Sequence, residues 1–177
     1  MILREWELAF LDFIQTHLRS AFTDTLVPMI TALGDSGFIW IVLAAVLLFR
    51  KSWRRTGVIV AVALIIEALL CNVLLKNLFA VPRPFEWTTA VELLIPQPDD
   101  YSFPSGHTGA SFAAVTALYY GGAKYWYLVL LPAVLIAFSR LYLYVHFPSD
   151  VIGGIVLGIF SGWLAARLLT VVEQRKG

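Results

Sequence analysis

Ser139-Arg140-Leu141-Tyr142-Leu143-Tyr144-Val145-His146-Phe147-Pro148-Ser149-Asp150 sets an arginine, a histidine and an aspartate between two long apolar stretches, residues 125–144 and 149–170. An ionisable group beside a bilayer core is costly to desolvate, so it marks either a site or an anchor at the interface. The flanking stretches read as membrane-crossing helices and the ionisable residues as belonging to the turn between them. Working outward, the whole chain supports that reading. Its 177 residues are 59% hydrophobic and only 14% charged, whereas a soluble domain is about half apolar and about a quarter charged. The expectation is an all-α integral membrane helical bundle forming a single domain over residues 1–177. A net charge of +1 offers no electrostatic footprint for nucleic acid. The one cysteine, Cys71, lies in an apolar run and reads as a small buried hydrophobe.

Five stretches read as spans: 37–52, 55–79, 105–122, 125–144 and 149–170. Residues 3–19 read as an amphipathic helix in the membrane interface, with Leu3, Trp6, Phe10, Phe13, Ile14 and Leu18 on its apolar face. Glu7 and His17 break that face. The opening residues do not read as a cleavable leader, because acids stand at Glu5 and Glu7. Residues 21–34 are short for a ~30 Å core and contain Pro28, so they read as interfacial or partly inserted; if they cross, the count is six. Arg50-Lys51-Ser52-Trp53-Arg54-Arg55, Lys124 and the Arg175-Lys176 tail are basic. By the positive-inside rule they belong on the cytoplasmic side. The acidic loop 80–104 and the 145–149 turn then face outward. Gly154, Gly158 and Gly162 recur four apart, a spacing that permits close helix packing.

On this map the ionisable groups of three separate segments meet at one membrane face. Lys76 and Arg83 flank the end of the second span, Ser105, Gly106 and His107 open the third, and Arg140, His146 and Asp150 surround the last turn. Lys76, Arg83 and Arg140 have no evident carboxylate partner in the sequence. Arginine offers a planar fork to phosphate oxygens and lysine a point charge. A helix starting near Ser102 or Phe103, with Pro104 in its first turn, adds free N–H groups suited to an anion. Two histidines extend binding to chemistry. His146 can attack phosphorus if Asp150, four residues on, holds its far nitrogen. His107 can protonate the leaving oxygen and later take a proton from water. No metal and no cofactor is expected, since three cations and a helix end already supply positive charge. Glu67 and Asn72, mid-span, read as interhelical hydrogen-bonding groups, and Asp35 as a turn residue.

Lys76-x6-Arg83-Pro84, Pro104-Ser105-Gly106-His107 and Ser139-Arg140-x5-His146-x3-Asp150 resemble the three signature motifs of the type 2 phosphatidic acid phosphatase superfamily. The resemblance implies a membrane bundle related in fold to vanadium haloperoxidases and a metal-independent phosphatase acting through a phosphohistidine. It implies His146, His107 and Asp150 as catalytic, and Lys76, Arg83, Ser105, Gly106 and Arg140 as phosphate-binding. Within the family the short chain is similar to small bacterial undecaprenyl-pyrophosphate phosphatases. Those act on the outer face of the cytoplasmic membrane on a lipid carrier of cell-wall synthesis. Phosphatidylglycerophosphate or phosphatidate phosphatase and lipid phosphotransferase are the alternatives within enzymes. An anionic-lipid transporter is the alternative outside them. The expected partners are a lipid phosphate or pyrophosphate and the bilayer.

Overall fold

The computed structural model describes residues 2–88 and 91–175, and among them there is helix and irregular chain but no strand. The side chain of Leu3 and the tail residue Lys176 lie outside what is described. The helices are α1 (Ile2–His17), α2 (Ala21–Ala32), α3 (Phe38–Phe49), α4 (Arg54–Ala68), α5 (Lys76–Phe79), α6 (Gly106–Tyr120), α7 (Trp126–Tyr142) and α8 (Pro148–Gln174). A π-helical segment, Leu69–Leu75, joins α4 to α5 without a break.

α6 is the axis of the bundle. It packs against α8 most extensively, and against α4 and α7. Its small residues make this possible: Ala113, Ala114 and Ala117 are fully buried. The glycine stripe of α8 lies against it, and a Cβ on Gly158 would come within 2.4 Å of the Gly109 carbonyl oxygen. Dispersion between closely apposed backbones, rather than a hydrophobic drive, holds helices together in lipid. The buried Ser111 hydroxyl of α6 is satisfied inside the bundle. Trp40 Nε1 donates to Ser111 Oγ at 3.0 Å, and Ser111 Oγ donates to the His107 carbonyl at 2.7 Å.

Two helices are long and apolar enough to cross a membrane: the one beginning at Arg54 and running through the π segment, and α8. α2 and α3, bent by 44°, make a third if taken as one broken span. Residues 21–34 and 37–50 thus carry a bent helix pair whose length and composition fit one broken span or a re-entrant loop, where the sequence suggested an interfacial piece and a separate span. The helices in the expected spans 105–122 and 125–144 have 15 and 17 residues. At ~1.5 Å per residue they are shorter than a ~30 Å core. For α6 the reason is plain: it is sheathed by other helices and need not span lipid on its own.

The two ends of the bundle differ. At one end Arg55 pairs with Glu173 at 3.0 Å and Thr56 Oγ1 donates to the Gly121 carbonyl at 2.8 Å. The basic loop, the 121–125 turn and the end of α8 are thus together, as the charge pattern required. At the other end, α1 roofs the turn between α7 and α8. Its buried side is Glu7, Leu11 and Ile14, while Trp6, Phe10 and Phe13 are exposed. Of the face expected to be apolar, these aromatics point outward, whereas Ile14 turns inward against the bundle. Glu7, which broke the pattern, is an anchor: its Oε1 accepts from Ser149 N at 2.8 Å and its Oε2 pairs with Arg4 at 2.9 Å.

Candidate active site

The roofed turn carries His146. Tyr144 takes a left-handed φ of 60°, a conformation that costs a non-glycine residue about 1–2 kcal/mol. It is held there by complete burial of its ring and by a 2.8 Å hydrogen bond from its hydroxyl to Asp12 Oδ1. The chain then folds back so that His146 points into the bundle. α8 restarts with Phe147 as N-cap and Pro148 at its first position, where a missing N–H costs nothing. Asp150 Oδ2 accepts from Phe147 N at 2.8 Å, closing the cap from within the first turn.

His146 is held on both sides. Its Nδ1 faces Asp150 Oδ2 at 3.4 Å, and Arg83 NH1 donates toward its Nε2 at 3.3 Å. Nε2, the nitrogen facing the cavity, is therefore the lone-pair side. Burial, followed by the cations Arg83, Arg140 and Lys76, holds the imidazole pKa well below its usual value, so the ring is neutral at neutral pH. Ser102 was not anticipated here. Its hydroxyl donates to Asp150 Oδ2 and lies 3.5 Å from His146 Nδ1, filling the space between the pair.

A cavity of about 1010 Å³ opens beside this histidine. Six of the eight expected site residues line it: Lys76, Arg83, Gly106, His107, Arg140 and His146. Ser105 and Asp150 sit behind the wall. Ser105 is the N-cap of α6, later than the expected helix start, and Pro104 precedes the helix instead of occupying its first turn. The Ser105 hydroxyl accepts from Thr108 Oγ1 at 3.0 Å, and its N–H donates to the Asp150 carbonyl at 3.0 Å. That bond fastens the start of α6 to the start of α8. The other limb of the cavity is apolar, lined by Ile41 and Ala44 of α3 and by Ala61, Leu64 and Ile65 of α4.

The π segment explains how Lys76 arrives. Nine residues at ~100° each would set Lys76 on the opposite side of an α-helix from Glu67. π winding turns less per residue, and both side chains line the same cavity. Glu67 makes no interhelical hydrogen bond through Oε1, contrary to expectation: that oxygen is buried without a partner, pressed against α6 where a Cβ on Gly109 would lie 2.1 Å away. Asn72 also lines the cavity.

The expectation that the cations lack carboxylates fails for two of three. Asp100 bridges Lys76 and Arg83, one oxygen to each, and Arg83 Nε also donates to the Asp100 carbonyl at 2.7 Å. Desolvation pushes the Asp100 pKa up, but Lys76 and then Arg83 outweigh it and bring it down to about 2. Arg140 makes no ion pair among the described residues; its NH1 donates to Thr31 Oγ1 at 2.7 Å, and its Nε is buried without a partner. Asp35, read as a turn residue, lies 2.9 Å from His107 Nε2 through Oδ1. Asp35, Thr31, Asp100 and Ser102 reach the site from loops or from another helix, and no periodicity in the sequence could have assigned them to it.

Fold and cavity define a helical membrane protein that gathers three cations and two histidines around one cavity also lined by apolar residues of α3 and α4. Residues 56–173 match the model of the PAP2 superfamily, and the chain belongs to that family. It is 38% identical over 132 residues to an undecaprenyl-diphosphatase of Sulfolobus acidocaldarius, covering 74% of this chain. The matched stretch spans 64% of that relative's own length, under two thirds. Among solved structures, Aquifex aeolicus LpxE superposes with a TM-score of 0.79 at 30% identity, covering 92% of this chain and 95% of LpxE. A transmembrane PAP2 type phosphatidylglycerolphosphate phosphatase from Bacillus subtilis gives 0.77 at 25% identity, covering 94% and 86%.

Proposed function

We propose that the protein is a metal-independent phosphatase of lipid phosphates or pyrophosphates, with undecaprenyl pyrophosphate as the preferred substrate. The observation that carries this reading is the two-part cavity. Lys76, Arg83, Arg140, His107 and His146 line one end, and apolar residues of α3 and α4 line the other. A substrate with a phosphate head and a hydrocarbon tail matches both limbs. The undecaprenyl-diphosphatase relative favours the pyrophosphate. The second reading, a phosphatidylglycerophosphate phosphatase, is favoured by the Bacillus subtilis neighbour.

In the proposed reaction, phosphate oxygens bind Lys76, Arg83 and Arg140. The lone pair of His146 Nε2 forms a bond to phosphorus as the bond to the leaving oxygen breaks. His107 donates a proton to that oxygen. The Nδ1 proton of His146 stays on the ring, and the carboxylate of Asp150 stabilises the cationic phosphohistidine. Water then attacks phosphorus, His107 takes its proton, inorganic phosphate leaves and His146 is restored. Positive charge on the phosphoryl oxygens comes from side chains throughout. By the positive-inside rule the site faces outward from a bacterial cytoplasmic membrane.

The test is phosphate release by the purified protein in EDTA, from undecaprenyl pyrophosphate, phosphatidylglycerophosphate and phosphatidate in parallel. Release should persist in EDTA and be fastest with the pyrophosphate. His146→Ala should lower it by at least about 10⁴-fold, the scale seen when a catalytic nucleophile is removed. Normal release by that variant would remove His146 from the chemistry, and full inhibition by EDTA would remove the metal-free mechanism.

A further inference from the structure

The bend between α2 and α3 has no part in the chemistry above, yet its backbone is shaped around the site. Gly34 lies so close that a Cβ there would sit 2.8 Å from His107 Cδ2 and 2.9 Å from Ile136 Cγ2. Ser36 and Gly37 then adopt left-handed φ values of 51° and 71°. This tight path, unusual for serine, delivers the Asp35 carboxylate to His107 Nε2 at 2.9 Å. The other nitrogen of His107, Nδ1, makes no hydrogen bond to the described residues. The remaining charged groups that face the ring are Arg140 from α7 and Lys76 from α5, with His146 beyond them in the turn before α8. Two cations press on an imidazole that must carry a proton when the leaving group departs, and Asp35 is the one carboxylate paired with it among the described residues.

We propose that Asp35 is a positioning residue for His107. Its carboxylate holds the proton on Nε2, fixes the ring and supports the imidazolium against the neighbouring cations. Nδ1–H is then the bond that delivers a proton to the leaving oxygen, and Nδ1 is the site that later receives one from water. Asp35 keeps the Nε2 proton throughout. The inference rests on the reading of His107 as acid and base.

The experiment measures kcat/KM against pH for the detergent-purified full chain, using dioctanoyl phosphatidate and p-nitrophenyl phosphate. The first has an alkoxide leaving group that needs a proton; the second has a nitrophenolate that does not. General acid–base catalysis contributes about 10²–10⁴-fold. Asp35→Asn should therefore lower kcat/KM for the phosphatidate by about 10- to 100-fold and for the aryl phosphate by less than about threefold. The alkaline limb for the phosphatidate should move to lower pH. Asp35→Glu should restore much of the rate, and Gly34→Ala, which drives the bend off His107, should reproduce the asparagine phenotype. Equal losses on both substrates with an unmoved limb would make Asp35 merely structural and overturn the inference. If His107→Gln shows the selective loss and Asp35→Asn does not, the inference fails and the reading of His107 stands. If His107→Gln spares the phosphatidate, both fall.

Discussion

Two histidine–carboxylate pairs bring both of their rings to the cavity, and they are built in opposite ways. His146 and Asp150 are four residues apart, in adjoining parts of one turn and helix start, with side chains 2% and 0% exposed. His107 and Asp35 are 72 residues apart, joined only because a bend presses against the start of α6, with side chains 19% and 65% exposed. Charge interactions strengthen as water is excluded. The buried pair suits a permanent task, keeping one neutral ring oriented for attack. The exposed pair suits a ring that must gain and lose a proton in each cycle, because solvent moderates the coupling and supplies the proton. Ser102 marks the same contrast: a buried carboxylate needs further donors, and Asp150 has two on Oδ2 but none on its buried Oδ1, whereas water can serve Asp35.

The largest effect that would sharpen this contrast is expected from Asp150→Asn. The amide can still accept from Ser102 or Phe147 N, but it no longer stabilises a cationic ring. A loss in kcat of about 10³–10⁴-fold is expected, as for the aspartate of a serine-protease triad. It should exceed that of Asp35→Asn with any substrate. Comparable losses in the two variants would erase the distinction between buried and exposed pairs.

Ser102→Ala should act more weakly. It removes one donor to Asp150 and leaves the Phe147 N–H in place, so a loss of about 1.5–3 kcal/mol in stability is expected for a hydrogen bond to a charged group. Thermal unfolding in detergent measures it. Activity should fall less than in Asp150→Asn; an equal fall would make Ser102 part of the relay instead of its packing.

The smallest effect concerns Asp100, which is half exposed and bridges Lys76 and Arg83. Its pKa is depressed to about 2 in the folded protein, against about 3.9 for an unperturbed aspartate. Its contribution to stability is therefore fully present above about pH 4 and is lost as pH falls toward 2. Unfolding of the wild type and Asp100→Asn compared between pH 6 and pH 2 should show a gap that closes over that interval. A gap that stays constant would mean that Asp100 acts through packing.

How the pieces were legible follows from their range along the chain. Asp150 could be paired with His146 from spacing alone, because a residue just before a helix start lies within reach of one in its first turn. Lys76, Arg83, His107 and Arg140 could be assigned to a common end of the bundle, because apolar stretches and basic loops set which end each occupies. Asp35 and Asp100 could not be paired with His107, Lys76 or Arg83. Each sits in a bend or loop whose path depends on packing: Gly34 against His107, and the 91–100 chain, through Leu93, Leu94 and Ile95, against the buried apolar cluster that includes Leu11, Tyr144 and Phe147. The same limit hid the junction of α2 with α3. A short apolar helix alone is ambiguous, and only the tertiary structure shows α2 and α3 as a pair bent by 44° and packed on α7 and α6.

Sequence by itself determined that this chain is a helical membrane protein with its cations and histidines gathered at one end. Hydropathy and charge are additive along the chain and need no partner to be read. Tertiary structure alone decided which carboxylate answers each cation and each histidine. It also decided that π winding turns Lys76 to the side of Glu67, and that the polar pocket continues into an apolar limb. Those outcomes depend on close approach between segments distant in sequence, and close approach is fixed by packing, where a single Cβ at Gly34, Gly109 or Gly158 would already be too much.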